Sequence, residues 1–542
     1  MRIAVFSTAI QFIQYYCQLM RAFLQTRWVL LVVLIVFTAV KIPHLFYPYY
    51  WDESWPYAAA IKEMYYHGVS LMPSAINPDL SKGHPLLFHA LAASWMHIFG
   101  PSHLAMHSFA LLTSLLLLTA VYEAGLKLFN ERVASLSIIL ISVQVIFYVQ
   151  SSFVLPEILV ALLAFLSLYY YSSARYLAAA ISLTALFFTK ESGIVAGVVT
   201  GIDAGIGLLD KNTPLKIRIA KILTVLVPGV LLGLFFVIQK HVNGWYLNPE
   251  HTKLMVSEWR WFWYYFRARS MHSALLMDNR NFYFIGLLVL SLIAALKNKS
   301  LKYLVLFFPA VIVYYFADDI RSGRPMPSVP FFCLFLISVA WMFYVLRKLR
   351  IFPAGRQEKF IKLSVLFIIL FFCFSAINFF TPRYMLAGIV PLLFFASVIF
   401  DSFITRTYAV LIYPVVLLIA VICGYTFSTN TRYGDTDPGA YDAMSVQQSV
   451  VDFLEKNNAY DKPIGSGSFL ENQHFMNAAT GFLSSEKVFT KVRWEIDGNT
   501  QYAIFDNIEP EYRYDEIRKN PAFYLVYRPV KGRVWAEIYE HK

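Results

Sequence analysis

The chain has 542 residues, of which 58% are hydrophobic and only 15% are charged. Soluble domains carry more charge and fewer apolar residues, so the composition excludes a soluble fold. The net charge of +12 comes from short Lys and Arg clusters between long apolar runs, not from a basic stripe. This arrangement is typical of charges that orient a membrane protein, and it excludes nucleic acid as a partner.

Apolar runs long enough to cross the hydrocarbon of a bilayer, about 20 residues each, recur along most of the chain. The first run is too long for a signal peptide and is predicted to be a retained span. The stretch 85–99 is predicted to be a helix lying at the membrane interface. About thirteen transmembrane helices are predicted, at 28–47, 104–126, 133–153, 155–173, 176–189, 193–209, 220–240, 282–296, 302–317, 328–346, 361–380, 384–400 and 407–427.

The loops between these runs differ in charge on the two sides of the membrane. With a cytoplasmic N-terminus, every inner loop is basic, as the positive-inside rule requires. The opposite face mixes acids and bases near span ends, and such groups are costly to keep unless they line a watery, functional cavity. A loop with Asp318, Asp319, Arg321 and Arg324 is predicted to be solvated instead. The grouped charges are Asp52, Glu53, Glu157, Lys190, Glu191 and Arg383.

Two domains are predicted, a transmembrane domain at 1–427 and an extracytoplasmic α/β domain at 428–542. The transmembrane domain includes interfacial helices in a first outer loop, 48–103, and a second outer loop, 241–281, which is rich in Trp, Tyr and Arg. In the C-terminal domain, helical spacing and β-branched runs predict one helix and three strands, at 440–457, 502–508, 523–527 and 534–539.

The first outer loop carries the clearest chemical signal. Asp52 and Glu53 follow the first span directly, where acids also suit the start of a helix, so an N-terminal cap is the alternative explanation. Lys82 and His84 follow, and together they predict an anion site beside a carboxylate pair. The histidines lack a third partner at zinc-site spacing and are predicted to pack at the interface; they are His89, His97, His103 and His107.

Four motifs occur in order over roughly residues 28–400. They are DESWPYAAA (52–60), HPLLF (84–88) running to FGPS (99–102), TKESG (189–193) and TPRYMLAGIVPL (381–392). In this order they resemble the GT-C superfamily of membrane glycosyltransferases, in the branch with protein O-mannosyltransferases and the lipid A aminoarabinose transferase. The resemblance implies inverting transfer of a sugar from a polyprenyl phosphate to a lipid, glycan or protein acceptor at the outer face of a bacterial inner membrane.

The resemblance also assigns roles to residues. Asp52 is the candidate base and Glu53 its neighbour, while Arg383 is the strongest candidate for the leaving phosphate because its fork binds phosphate bidentately. Two residues depart from the family's pattern, so their roles stay open. The family often has Asp where this chain has Glu157, and the aminoarabinose transferase has lysine where this chain has His84. The other implied phosphate ligands are Lys82, His84 and Lys190, and the implied acceptor or supporting residues are Glu157, Glu191, Tyr57 and Tyr384.

Two other classes of function compete with an enzyme. A secondary transporter or lipid-linked sugar flippase would also have many spans and membrane charges, but near the midplane and in corresponding halves. A scaffold that only presents the C-terminal domain would leave the grouped charges unexplained. No cofactor is certain: the acids could bind a divalent cation, although no arrangement of ligands in the sequence requires one.

Overall fold

A computed structural model describes residues 26–307, 310, 328–352, 355–509 and 513–542. The predicted solvated loop with Asp318, Asp319, Arg321 and Arg324 lies outside these residues, as does most of the predicted span 302–317.

Within the described residues, the chain is mainly helical up to residue 429. Its helices are α1 (Thr26–Phe46), α2 (Tyr57–His67), α3 (Pro78–Ser81), α4 (Leu87–Phe99), α5 (His103–Leu128), α6 (Glu131–Ser142), α7 (Val145–Gln150), α8 (Glu157–Ser172), α9 (Tyr176–Thr189), α10 (Ile194–Leu209), α11 (Leu215–Asn243), α12 (Pro249–Lys253), α13 (Trp259–Tyr265), α14 (Asn281–Lys297), α15 (Ser328–Lys348), α16 (Arg356–Ile377), α17 (Leu386–Thr407) and α18 (Ile412–Thr429).

Six of the described helices are long and apolar enough to cross a membrane, and a seventh span is present if the bent pair that meets near residue 280 is counted as one. Several shorter apolar helices accompany them, including α8 and α9. The chain is therefore a polytopic α-helical membrane protein, as predicted, while the count of thirteen spans stays a prediction.

The predicted run 133–153 is divided into α6 and α7. The break falls after Ser142, and the side-chain amide of Gln144 donates to the carbonyl of Leu140 at 2.9 Å. An amide at this position offers the backbone a hydrogen bond outside the helical ladder, which favours ending a helix.

Helix α8 lies at the centre of the helical part and packs against α5, α9, α10, α16 and α17. Most of its residues are buried around the whole circumference, as expected for a helix that is apolar on every face. Because α8 begins with Glu157, the packing that buries the helix also fixes this carboxylate in the protein interior.

The C-terminal part forms an α/β unit. Its elements are α19 (Gly439–Lys456), β1 (Ile464–Ser466), α20 (Phe469–Met476), β2 (Val492–Arg493), β3 (Tyr502–Asp506), α21 (Tyr514–Lys519), β4 (Phe523–Tyr527), β5 (Val530–Lys531) and β6 (Val534–His541). The predicted helix and three strands are all confirmed. The strands form a mixed sheet in the order β2-β1-β3-β6-β4, with β5 paired to β6. Strand β1 is parallel to β2 and β3, whereas β6 is antiparallel to β3, β4 and β5.

The α/β unit is attached to the loops at one end of the helices. The hydroxyl of Tyr50 donates to the Tyr433 carbonyl at 2.7 Å, and the ammonium of Lys41 donates to the Tyr441 hydroxyl at 2.7 Å. These contacts join the end of α1 and the loop that follows it to the chain that follows α18, which places the C-terminal part beside Asp52.

Candidate active site

The turn Trp51–Glu53 directly follows α1 and presents Asp52. The side chain of Asp52 remains 43% exposed, and its Oδ2 accepts a hydrogen bond from Nη2 of Arg383. A carboxylate that is fixed by a cation on one side and open to solvent on the other can meet a substrate hydroxyl and take its proton.

Arg383 lies at the centre of the charged groups. It belongs to the turn Pro382–Met385, which leads into α17, and it is only 2% exposed. Its guanidinium donates to Asp52 and to Oδ2 of Asp435, and its Nε lies 3.5 Å from Oε1 of Glu157. Three carboxylates from three separate segments therefore surround one guanidinium.

A second buried cation lies next to this guanidinium. Lys190 follows α9, is 6% exposed and donates from Nζ to Oε1 of Glu157 at 2.9 Å. Its ammonium also lies 3.9 Å from the centre of the Tyr384 ring, which adds a cation–π contact. Glu157 therefore contacts two cations, Lys190 and Arg383.

We call Asp52, Glu157, Lys190, Arg383 and Asp435 the Arg383 cluster. With ordinary ionisation it holds three negative and two positive charges. Burial, followed by the nearby carboxylates of Asp52 and Glu157, raises the pKa of Asp435 to about 6, although Arg383 opposes the rise. Buried cations beside an accessible carboxylate can stabilise a leaving anion while the carboxylate accepts a proton.

Glu53 turns away from this cluster. It is 1% exposed, and it accepts hydrogen bonds from the backbone N–H groups of Val154 and Tyr50 at 2.7 and 3.3 Å. Its Oε1 also lies 2.8 Å from Nε2 of His107. The structure thus places Glu53 in an anchor between the first loop, α5 and the loop before α8, while its catalytic role stays a prediction.

His107 has specific hydrogen-bond partners, which the prediction of packing at the membrane interface did not include. Its side chain is buried, and its Nδ1 lies 3.0 Å from the Leu45 carbonyl while Nε2 faces Glu53. Sequence spacing missed this partner because residues 53 and 107 lie on separate elements, joined only by the fold.

Lys82 and His84, the predicted phosphate ligands of the second motif, lie outside the Arg383 cluster. His84 Nδ1 contacts Oε2 of Glu191 at 2.8 Å, and Lys82 contacts Oε2 of Glu250 at 3.2 Å. The ring of His251 lies 5.2 Å from that of His84. Because Lys190 and Glu191 are consecutive, the two groups of charges adjoin each other.

Tyr57 is buried in α2, and its ring stacks on His89 with 5.6 Å between centroids. Tyr384 is half-buried and faces Lys190. The structure therefore brings together five of the ten predicted residues: Asp52, Glu157, Lys190, Arg383 and Tyr384. Their roles stay predictions.

Asp435 is the member of the cluster that sequence reasoning missed. It lies in GDTDPG (434–439), a segment with two aspartates that follows α18. Its position near the end of a span was a usable signal, but the segment was assigned to the C-terminal domain rather than to the site.

Among the described residues, no three His, Cys, Asp or Glu side chains are arranged to hold a metal ion. The carboxylates of the Arg383 cluster instead face Arg383 and Lys190.

No family model and no curated protein matches the chain. Solved structures similar to it include ArnT from Cupriavidus metallidurans bound to undecaprenyl phosphate, with 14% identity, a TM-score of 0.49 and coverage of 93% of this chain and 97% of ArnT. An oligosaccharyltransferase from Archaeoglobus fulgidus, in complex with Zn and sulfate, has 13% identity, a TM-score of 0.37 and coverage of 88% and 68%.

The archaeal oligosaccharyltransferase AglB from Archaeoglobus fulgidus, in complex with an inhibitory peptide and a dolichol-phosphate, has 10% identity, a TM-score of 0.32 and coverage of 89% and 70%. These identities are too low to carry an activity across to this chain. ArnT and AglB are both members of the GT-C superfamily.

Proposed function

We propose that the protein is an inverting glycosyltransferase that moves a sugar from a polyprenyl-phosphate donor to an acceptor hydroxyl at the outer face of the membrane. The observation that carries the proposal is the pairing of Asp52, which is partly exposed, with the buried cation Arg383. Inversion at the anomeric carbon requires a base on the acceptor side and a leaving phosphate on the other.

The residues have distinct parts in this reaction. Asp52 accepts the proton of the acceptor hydroxyl as that oxygen attacks the anomeric carbon. The bond between this carbon and the phosphate oxygen breaks, and the phosphate gains negative charge. Arg383 and Lys190 stabilise that charge more strongly in the transition state than in the bound donor, which is the condition for catalysis.

The location of the cluster favours an enzyme over a transporter. Its five residues come from the turn after α1, the start of α8, the end of α9, the turn before α17 and the segment after α18. These are helix ends and loops, not mid-helix positions, whereas transporter sites are built at the middle of broken spans. ArnT and AglB have been solved with undecaprenyl phosphate and a dolichol-phosphate, which supports the donor class proposed here.

The experiment starts from cells that lack the protein, because neither sugar nor acceptor is specified by the site. Mass spectrometry of surface glycans, glycolipids and glycoproteins should reveal a species that is lost, differing from its unglycosylated form by one sugar. Complementation with the wild-type gene should restore this species, and Asp52→Asn should not, with equal amounts of protein in the membrane.

Asp79→Asn is the matched control, since Asp79 is an exposed acid in the same outer loop and takes no part in the cluster. It should restore the missing species as well as wild type does. Restoration by Asp52→Asn would overturn the assignment of the base, and a full set of glycans in the deletion strain would overturn the proposed reaction.

A further inference from the structure

Each of the three guanidinium nitrogens of Arg383 has a carboxylate beside it. Asp435 and Asp52 each accept a hydrogen bond from one terminal nitrogen, and Glu157 lies 3.5 Å from Nε. A phosphate that binds this guanidinium bidentately needs two adjacent N–H groups. It therefore competes with these carboxylates for the nitrogens of Arg383.

Charge leads to the same conclusion. The two cations of the cluster face three carboxylates, so the fully ionised cluster has a net charge of −1 and repels an incoming phosphate. One carboxylate must therefore become protonated or move away from the cations before an anionic donor can bind.

Asp435 is the carboxylate best placed to do so. Glu157 is fixed by Lys190 and by its place at the start of a buried helix, and Asp52 is needed as the base. Asp435 instead lies on the irregular segment between α18 and α19. Gln150 donates to its backbone carbonyl at 2.7 Å, which fixes the backbone, while Arg383 is the partner of its side chain.

From these contacts we propose that Asp435 is a positioning residue that occupies the phosphate place on Arg383 in the empty enzyme and takes up a proton when a polyprenyl phosphate displaces it. The inference rests on the proposed function, because it concerns how the same cluster receives its donor. It assigns a role to a residue of the C-terminal segment. It also predicts that the affinity for the donor depends on pH.

The groups that face Asp435 agree with this assignment. They are Arg383 from the turn before α17, Asp52 from the first loop, Glu157 from α8 and the phenol of Tyr50. Burial and the two acids raise the pKa of Asp435 to about 6, against the effect of Arg383. Removing the ion pair with Arg383 raises this pKa further, so phosphate binding favours the protonated form.

The test measures the affinity of the purified full-length protein for undecaprenyl phosphate as a function of pH. At pH 7.5 the wild type must first protonate Asp435, which lowers the affinity by about 30-fold for a pKa of about 6. Asp435→Asn carries no charge to neutralise, so at pH 7.5 it should bind about 30-fold more tightly than wild type. At pH 5.5 the two proteins should differ by less than about twofold.

Asp437→Asn is the matched control. Asp437 lies two residues further on in the same segment, but it pairs with Arg432 and Asn430 rather than with Arg383. Its variant should retain the pH dependence of the wild type. Equal affinity of wild type and Asp435→Asn at pH 7.5 would overturn the inference, and so would an equal gain in Asp437→Asn.

A measurement on the wild type alone covers the case in which Asp435→Asn does not fold. Between pH 7 and 8 a phosphate monoester is already almost fully ionised, so its own titration contributes little. The wild-type affinity should fall by nearly tenfold over this interval, and a flat profile would contradict the inference. Absence of any binding by wild type at all pH values would instead overturn the proposed function itself.

Discussion

The neighbouring acids Asp52 and Glu53 should fail in different ways when their charge is removed. Asp52 is 43% exposed and contacts Arg383, whereas Glu53 is 1% exposed and holds the first loop. We predict that Asp52→Asn abolishes sugar transfer with little effect on folding. Glu53→Gln should instead destabilise the protein, although both substitutions replace a carboxylate with an amide of nearly the same volume.

The magnitude follows from the hydrogen bonds of Glu53. The ring nitrogens of His107 face the Leu45 carbonyl and the Glu53 side chain, so Glu53 and His107 hold each other in the protein interior. Glutamine keeps an acceptor for the N–H of Val154 but places an NH2 group where the N–H of Tyr50 needs an acceptor. Leaving a buried donor without its partner costs about 1–3 kcal/mol.

The assay is reversible unfolding in mixed detergent micelles, followed by tryptophan fluorescence. Glu53→Gln and His107→Gln should each lower the free energy of unfolding, and the double variant should lose less than their sum, with a coupling of about 2 kcal/mol. Wild-type stability in Glu53→Gln together with lost transfer would refute this reasoning, because it would make Glu53 catalytic rather than an anchor.

Three further predictions follow from other contacts. Arg383→Lys should reduce transfer at least about 100-fold, measured in membranes with equal protein content, because an ammonium cannot bind phosphate through two parallel N–H groups. Burial raises the pKa of Asp506 to about 6, so its contribution to stability is full below about pH 4 and is lost as the pH rises through 6. Burial also raises the pKa of Glu471, which faces Asp506, so thermal unfolding should show a smaller loss in Asp506→Asn than in wild type. Chelation with EDTA should change turnover by less than about twofold, since Arg383 and Lys190 already supply the positive charge that a divalent cation would bring to these carboxylates; a loss restored by added Mg²⁺ would contradict this.

Much of the helical architecture was predictable because the physical signals are local. Apolar length specified the helices that cross the membrane, and helical spacing placed Met444, Val446 and Leu454 on one face of α19, where all three are buried. The break between α6 and α7 was not predictable from hydropathy, because Gln144 interrupts an otherwise apolar run without a proline or glycine.

The site was predictable to the extent that its residues lie at span ends on one face. Asp52, Glu157, Lys190 and Arg383 were grouped by this rule, and the structure brings them into contact. Pairings between distant segments could not be predicted from the sequence. Glu53 contacts His107 and Lys82 contacts Glu250, and both pairs are brought together by tertiary packing.

The predicted domain boundary at residue 428 separates residues that are in contact with each other. Asp435 contacts Arg383, and Tyr433 accepts a hydrogen bond from Tyr50 in the loop that carries Asp52. A chain that ends at residue 427 would therefore lose one of the three carboxylates around Arg383 and one support of the first loop. It should bind anions at Arg383 without the competition that Asp435 supplies, yet hold Asp52 less firmly. The C-terminal part therefore supplies one of the carboxylates of the Arg383 cluster and a support for the loop that carries Asp52.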